Sequence, residues 1–201
     1  MKRELPPWNH NIHYYPLILA AIGNGARRAL DVGCGDGLLA GQLWQAIPHV
    51  VAIDSDAAVL GRARHHDGGS GVEYLHGDFL THDFEPASFD AIVSVAALHH
   101  MDAAVALGRM RQLLRPGGTL AVVGLARRRY PRDLPVEVAA IAAHQVLRMR
   151  KGYWEHSSPT IWPPPLTYDQ TRPIAVKILP GVQYRRHLLW RYSLVWRKPE
   201  T

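Results

Sequence analysis

The chain has 201 residues, enough for a domain with a sizeable core, and its 47% hydrophobic and 20% charged content is ordinary for a globular protein. No apolar run reaches the roughly 18 residues of a membrane-spanning helix, and Met1 to Pro7 lacks the apolar core of a secretion signal, so a cytoplasmic protein is expected. The net charge of +6 raises nucleic acid or an anionic ligand, but Arg127-Arg128-Arg129, Arg185-Arg186, Arg191 and Arg197 come without a nucleic-acid motif and read as a solvated basic surface.

Residues 1 to 26 form a lead, extended at Pro6-Pro7-Trp8, with one helix between Asn9 and Asn24 that starts or breaks near Pro16. Its polar aromatics His13, Tyr14 and Tyr15 are candidates either to cap a ligand or to pack on a sheet edge. A first strand is expected over 28 to 33 and a helix over 36 to 46. The second strand, 50 to 54, ends in Asp54, and Asp56 is placed to cap the next helix, 57 to 65. A breaker-rich loop leads to a short third strand, 72 to 75. Residues 89 to 95 form a near-continuous apolar run, the pattern of a parallel strand buried on both faces. A helix over 103 to 114 is closed by Pro116-Gly117-Gly118 before a fifth strand, 119 to 125. This alternation argues for a doubly wound α/β sheet.

The last third changes character. Residues 136 to 150 suit a helix with Asp133 as candidate cap. The loop from Gly152 to Pro165 is too rich in tryptophan and tyrosine for a disordered linker. Another helix spans 167 to 179, and 182 to 198 alternates as two strands. No internal repeat is present, and one domain over 1 to 201 is expected.

The stretch from Ala29 to Ala40 organises the rest. Gly33, Gly35 and Gly37 form a tight turn between strand and helix, where side chains would hold a ligand off the backbone and the helix start offers unpaired N–H groups. A dinucleotide fingerprint wants a small residue where this chain has Leu38, which disfavours a nicotinamide oxidoreductase. Asp31 stands just before the first glycine, where its carboxylate could face a ligand ammonium. Cys34, the only cysteine, reads as a small residue in a crowded turn, with no internal disulfide available and no activating histidine in the motif.

Asp31-Val32-Gly33-Cys34-Gly35-Asp36-Gly37 resembles the first motif of the class I S-adenosylmethionine-dependent methyltransferases, in a branch like the quinone methyltransferases. The resemblance continues in order through Val50 to Asp54, Gly77-Asp78-Phe79, Phe89 to Ser94 and Leu114 to Leu120. It implies a Rossmann-like seven-stranded sheet, mostly parallel, with residues 182 to 198 as the C-terminal antiparallel pair. It also implies S-adenosylmethionine as cofactor, S-adenosylhomocysteine as product, and a division into an N-terminal cap (1–26), a cofactor-binding core (28–125), acceptor-pocket helices and loop (127–180) and terminal strands (182–198). Carried over residue by residue, Asp31, Gly33, Gly35 and Gly37 belong at the methionine end. Asp54 then belongs at the ribose, Asp78 and Phe79 at the adenine, and Val95, ending the fourth strand, joins the cofactor set.

Methyl transfer from a sulfonium depends chiefly on alignment, with a base required when the acceptor is a hydroxyl or ammonium. His100 and, second, His99 are candidates for that base or for positioning the acceptor, because they follow the strand whose end faces the transferable methyl in this fold. Tyr14, Tyr15, Trp154, His156 and Trp162 are the candidate acceptor contacts, and their aromatic character favours an aromatic or apolar small molecule. No metal is expected, since His65-His66 and His99-His100 lack a matching ligand pattern. Ser94-Val95-Ala96-Ala97 replaces the proline-rich tetrad of base-amine methyltransferases, so nucleic acid is an unlikely acceptor. RNA or protein methylation, and cofactor binding without catalysis, are the alternatives. Oligomeric state is not legible.

Overall fold

The computed structural model describes residues 8–66, 69, 71–154 and 162–200. Seven strands form one sheet in the order β3-β2-β1-β4-β5-β7-β6. They are β1 (Arg28–Val32), β2 (His49–Asp54), β3 (Glu73–His76), β4 (Phe89–Val95), β5 (Leu114–Gly124), β6 (Gln183–Arg186) and β7 (Tyr192–Arg197). The first five run parallel, and β7 enters antiparallel between β5 and β6. The expected α/β architecture is therefore present, terminal pair included.

Two cores lie on opposite faces, as the period-2 side-chain alternation of strands requires. Leu30, Val32, Val51, Ile53 and Ile92 face α4 (Ala103–Leu113) and α6 (Tyr168–Ile178). Ala29, Val50, Ala52, Ala91 and Val93 face α1 (Tyr15–Ile22), α2 (Leu38–Trp44) and α3 (Ala57–His66), with Ile18, Leu39, Leu43 and Leu60 inserted between. The small side chains on this second face let the helices approach closely.

Local signals explain most boundaries. Pro16 sits in the first turn of α1, where a missing N–H costs nothing. Asp56 accepts from the Ala58 and Val59 N–H groups at 2.8 and 3.2 Å and so caps α3. Thr167 and Gln170 close a reciprocal capping box on α6. Two expectations are corrected. Pro116-Gly117-Gly118 does not precede β5 but lies within it, as an irregularity that shifts the register between Phe89–Leu114 and Ala91–Thr119. Asp133 holds the N-cap position of α5 (Leu134–Lys151) without capping it, because its carboxylate accepts from the Arg129 N–H and from Arg186 at 2.6 Å.

No helix of the described residues is long and apolar enough to cross a membrane. The C-terminal ends of β1, β2 and β4 open together, the usual place for a ligand in a doubly wound sheet. A large cavity lies there.

Candidate active site

A single crevice of about 810 Å³ runs over these strand ends, within the roughly 300–1,000 Å³ typical of small-molecule sites. One end is built by the glycine turn. Gly33, Gly35 and Gly37 have φ of 70°, 53° and 76°, a conformation glycine adopts at little cost. A Cβ on Gly33 would stand 2.2 Å from the Ala97 Cβ, so the turn and the chain after β4 touch through that missing side chain. Gly37 lies behind the turn, facing Tyr74 and Ala63 rather than the crevice.

Asp54, at the tip of β2, accepts from the Gly35 N–H at 2.9 Å through Oδ2 and from the Asp56 N–H at 3.0 Å through Oδ1. Each oxygen keeps lone-pair capacity toward the crevice it lines. Asp31 is more deeply placed. It sits on the α2 face of β1, only 1% exposed, and its Oδ2 has no hydrogen-bond partner. Burial, with Asp54 nearby, pushes its carboxyl up to about 7, against a hydrogen bond from the Ala40 N–H. A buried carboxylate oxygen without a donor suits a ligand whose cationic end approaches the glycine turn.

Gly77, Asp78 and Phe79 close the far wall beside Leu80. Asp78 accepts from the Leu80 N–H at 2.8 Å, which fixes the turn, while buried Phe79 is held by Arg109, whose Nε donates to its carbonyl. Val95 lines the crevice at the end of β4, next to Ala96 at φ 55°. That left-handed alanine costs about 1–3 kcal/mol, and such strain gathers at functional sites.

His99 and His100 follow in a short 3-10 turn (Leu98–His100) and both line the crevice. His99 Nδ1 is buried without a partner. Burial, then His100 and Arg191, lowers its pKa to about 4. Burial also lowers the pKa of His100, while Asp54 acts the other way. Burial thus favours the neutral form of both rings and weakens them as bases, His99 the more strongly. Burial drives the Cys34 thiol upward, which leaves it protonated and unreactive.

The other end is aromatic. Trp154 and Trp162 line it, and the Trp154 N–H donates to the Trp8 carbonyl at 2.8 Å, tying the loop after α5 to the N-terminal lead, whereas Tyr15 lines the crevice beside the glycine turn, with Asp31, Asp36 and Cys34 as its neighbours. Tyr14 is absent from the lining; it is buried, with its hydroxyl donating to the Leu188 carbonyl at 2.6 Å. His156 lies outside the described residues.

Several wall residues carry no linear motif: Asn9, His10, Asn11, Arg128, Trp190 and Arg191. Arg128 and Arg191 are thus not the solvated surface charges that sequence suggests. Arg128 pairs with Glu137, which also accepts from Trp190 Nε1 at 2.9 Å, and Arg191 is only 7% exposed. The one sequence signal available was the clustering of Trp190 beside arginine. Among the described residues, no three His, Cys, Asp or Glu side chains gather as a metal-holding group.

The sequence profile of a methyltransferase domain matches residues 30–122. An uncharacterized methyltransferase of Mycobacterium tuberculosis is 45% identical over 194 residues, covering 96% of this chain and 98% of that protein. A ubiquinone biosynthesis O-methyltransferase of Xylella fastidiosa is 38% identical over 104 residues, half of this chain and 42% of its own length. In structure, phosphoethanolamine N-methyltransferase 2 of Haemonchus contortus, solved with S-adenosylmethionine, superposes with a TM-score of 0.66 at 18% identity, over 93% of this chain and 52% of that one. With the glycine turn, its buried carboxylate and a near-full-length relative in agreement, the chain belongs to the class I S-adenosylmethionine-dependent methyltransferases.

Proposed function

We propose that this enzyme methylates a small-molecule acceptor with an aromatic or apolar body, bound in the end of the crevice lined by Trp154 and Trp162, with Tyr15 walling the crevice nearer the glycine turn. The observation that carries the reading is the continuity of the crevice: the glycine turn, Asp54, the two histidines and the rings of Trp154, Trp162 and Trp190 line one cavity, with His100 near Asp54 and His99 near Arg191. S-adenosylmethionine, when bound, supplies an electrophilic methyl carbon on a sulfonium. The chain's residues hold and orient. Asp54 accepts the ribose hydroxyls, Gly33 and Gly35 admit the methionine part to the backbone, and Asp31 favours its ammonium from one layer behind. Asp78 meets the adenine amine, Phe79 gives its ring an apolar wall, and Val95 packs beneath. His100, or His99, positions the acceptor and takes its proton where the accepting atom carries one.

The N-terminal lead and residues 127–180 supply the acceptor walls, and a cytoplasmic setting fits the single buried cysteine. The O-methyltransferase relative supports a small-molecule acceptor over RNA or protein. Incubation with methyl-labelled S-adenosylmethionine and separated cell fractions tests this. Label should enter solvent-extractable small products, and Trp154→Ala and Trp162→Ala should raise the acceptor KM while leaving cofactor affinity unchanged. Label confined to the RNA or protein fraction would overturn the reading.

A further inference from the structure

Three arginines of the aromatic end can be compared. Arg186 meets Asp133 at 2.6 Å, and Arg128 meets Glu137. Arg191 is the most buried of the three, yet no carboxylate lies within ion-pair distance of it among the described residues. Its hydrogen bonds go to neutral oxygens only. Nε and Nη2 donate to Asn11 Oδ1 at 3.2 and 2.7 Å, and Nη1 donates to the Leu189 and Trp190 carbonyls at 3.1 and 3.4 Å. These contacts fix the guanidinium plane, and among the described residues none compensates its charge. Of five N–H groups, one on Nη2 has no acceptor.

A buried cation without a counter-charge is costly, and folds retain one where an anion is to be met. The surroundings sharpen this. Leu189 and Trp190 stand at φ 55° and 59°, a left-handed pair that turns both carbonyls onto the guanidinium. Arg191 and Trp190 both open on the crevice, and Arg128 lies over the Trp162 ring.

We propose that Arg191 is a specificity-determining residue that binds a carboxylate carried by the methyl acceptor, an inference that rests on reading the aromatic end as the acceptor site. A carboxylate matches the single uncompensated charge and the single spare N–H better than a phosphate, which asks for more donors. The competing role is structural: Arg191 would only fasten the N-terminal lead to the β6–β7 hairpin through Asn11.

Calorimetric titration of the protein saturated with S-adenosylhomocysteine separates these. The probes are isosteric pairs: benzoate and benzamide, 2-naphthoate and 2-naphthamide, hexanoate and hexanamide. At least one carboxylate should bind tenfold or more tightly than its amide, and Arg191→Gln should abolish that difference. Thermal midpoint and S-adenosylhomocysteine binding serve as folding controls. No preference for any carboxylate overturns the inference. If the amides still bind and Trp162→Ala weakens them, the acceptor-site reading survives its loss. Tighter binding of phenyl phosphate than benzoate, abolished by Arg191→Gln, would assign the cation to a phosphate and also overturn it. Should Arg191→Gln not fold, Arg128→Gln is the second variant: a carboxylate preference that survives it belongs to Arg191, and one that it abolishes overturns the inference.

Discussion

Asp54 shows how one side chain can serve the fold and the site together. Its two oxygens hold the Gly35 and Asp56 N–H groups, which fixes the glycine turn against β2 and leaves the carboxylate aimed along the crevice. Asp54→Ala should weaken S-adenosylhomocysteine binding by about 2–4 kcal/mol, since hydrogen bonds to a charged acceptor are worth roughly 1.5–3 kcal/mol each. Calorimetry checks this, with Asp54→Asn expected in between because its amide oxygen can still hold one N–H. Affinity equal to wild type would mean that the ribose is held elsewhere. Arg191 makes the opposite case, since its hydrogen bonds serve the fold while no carboxylate among the described residues meets its charge.

Among elements, α6 and α5 contrast. Thr167 and Gln170 satisfy each other's backbone donors at the start of α6, and Tyr168, Thr171 and Ala175 are buried behind them. Thr167→Ala should destabilise the protein by about 0.5–2 kcal/mol, read as a lower urea midpoint with unchanged m-value. Cofactor affinity should not move, because α6 packs on the face opposite the glycine turn. α5 buries little of its apolar content. Leu134, Val138, Ile141 and Met149 are all exposed, and Ala140 is the buried residue. His144 reaches inward instead, meeting His10 at 2.9 Å.

For the whole molecule, buried titratable groups set the response to acid. Burial lowers His10 to about 3 and His99 to about 4, so below the ordinary histidine value of about 6.5 the unfolded chain binds protons that the native state refuses. Their stabilisation is full above pH 6.5 and is lost as pH falls toward 4. His13, His100 and His187 are depressed in the same direction. Asp31 opposes them: raised to about 7, it contributes stability at low pH that is lost as pH rises through 7. The histidines outweigh one aspartate, so the urea midpoint should fall steadily from pH 6.5 to pH 4.5, and Asp31→Asn should steepen the fall. A midpoint flat across that window would contradict the burial of these rings.

The sequence by itself determined the α/β class with its doubly wound sheet and the glycine turn, which resemblance to the family tied to the cofactor. Those depend on local rules: a parallel strand buried on both faces reads as a near-continuous apolar run, and a turn with repeated positive φ values is met at least cost by glycine. Gly33, Asp54 and Asp56 were legible because their partners lie a few residues away or at the neighbouring strand's end. Tertiary structure alone decided the acceptor end. Tyr14, read as a ligand contact, is spent on the Leu188 carbonyl 174 positions away, while Arg191 reaches Asn11 across 180 positions. No local pattern encodes that the buried Arg191 meets no carboxylate among the described residues. That depends on Asp133 and Glu137 being taken by Arg186 and Arg128, and only the folded chain brings those four groups together.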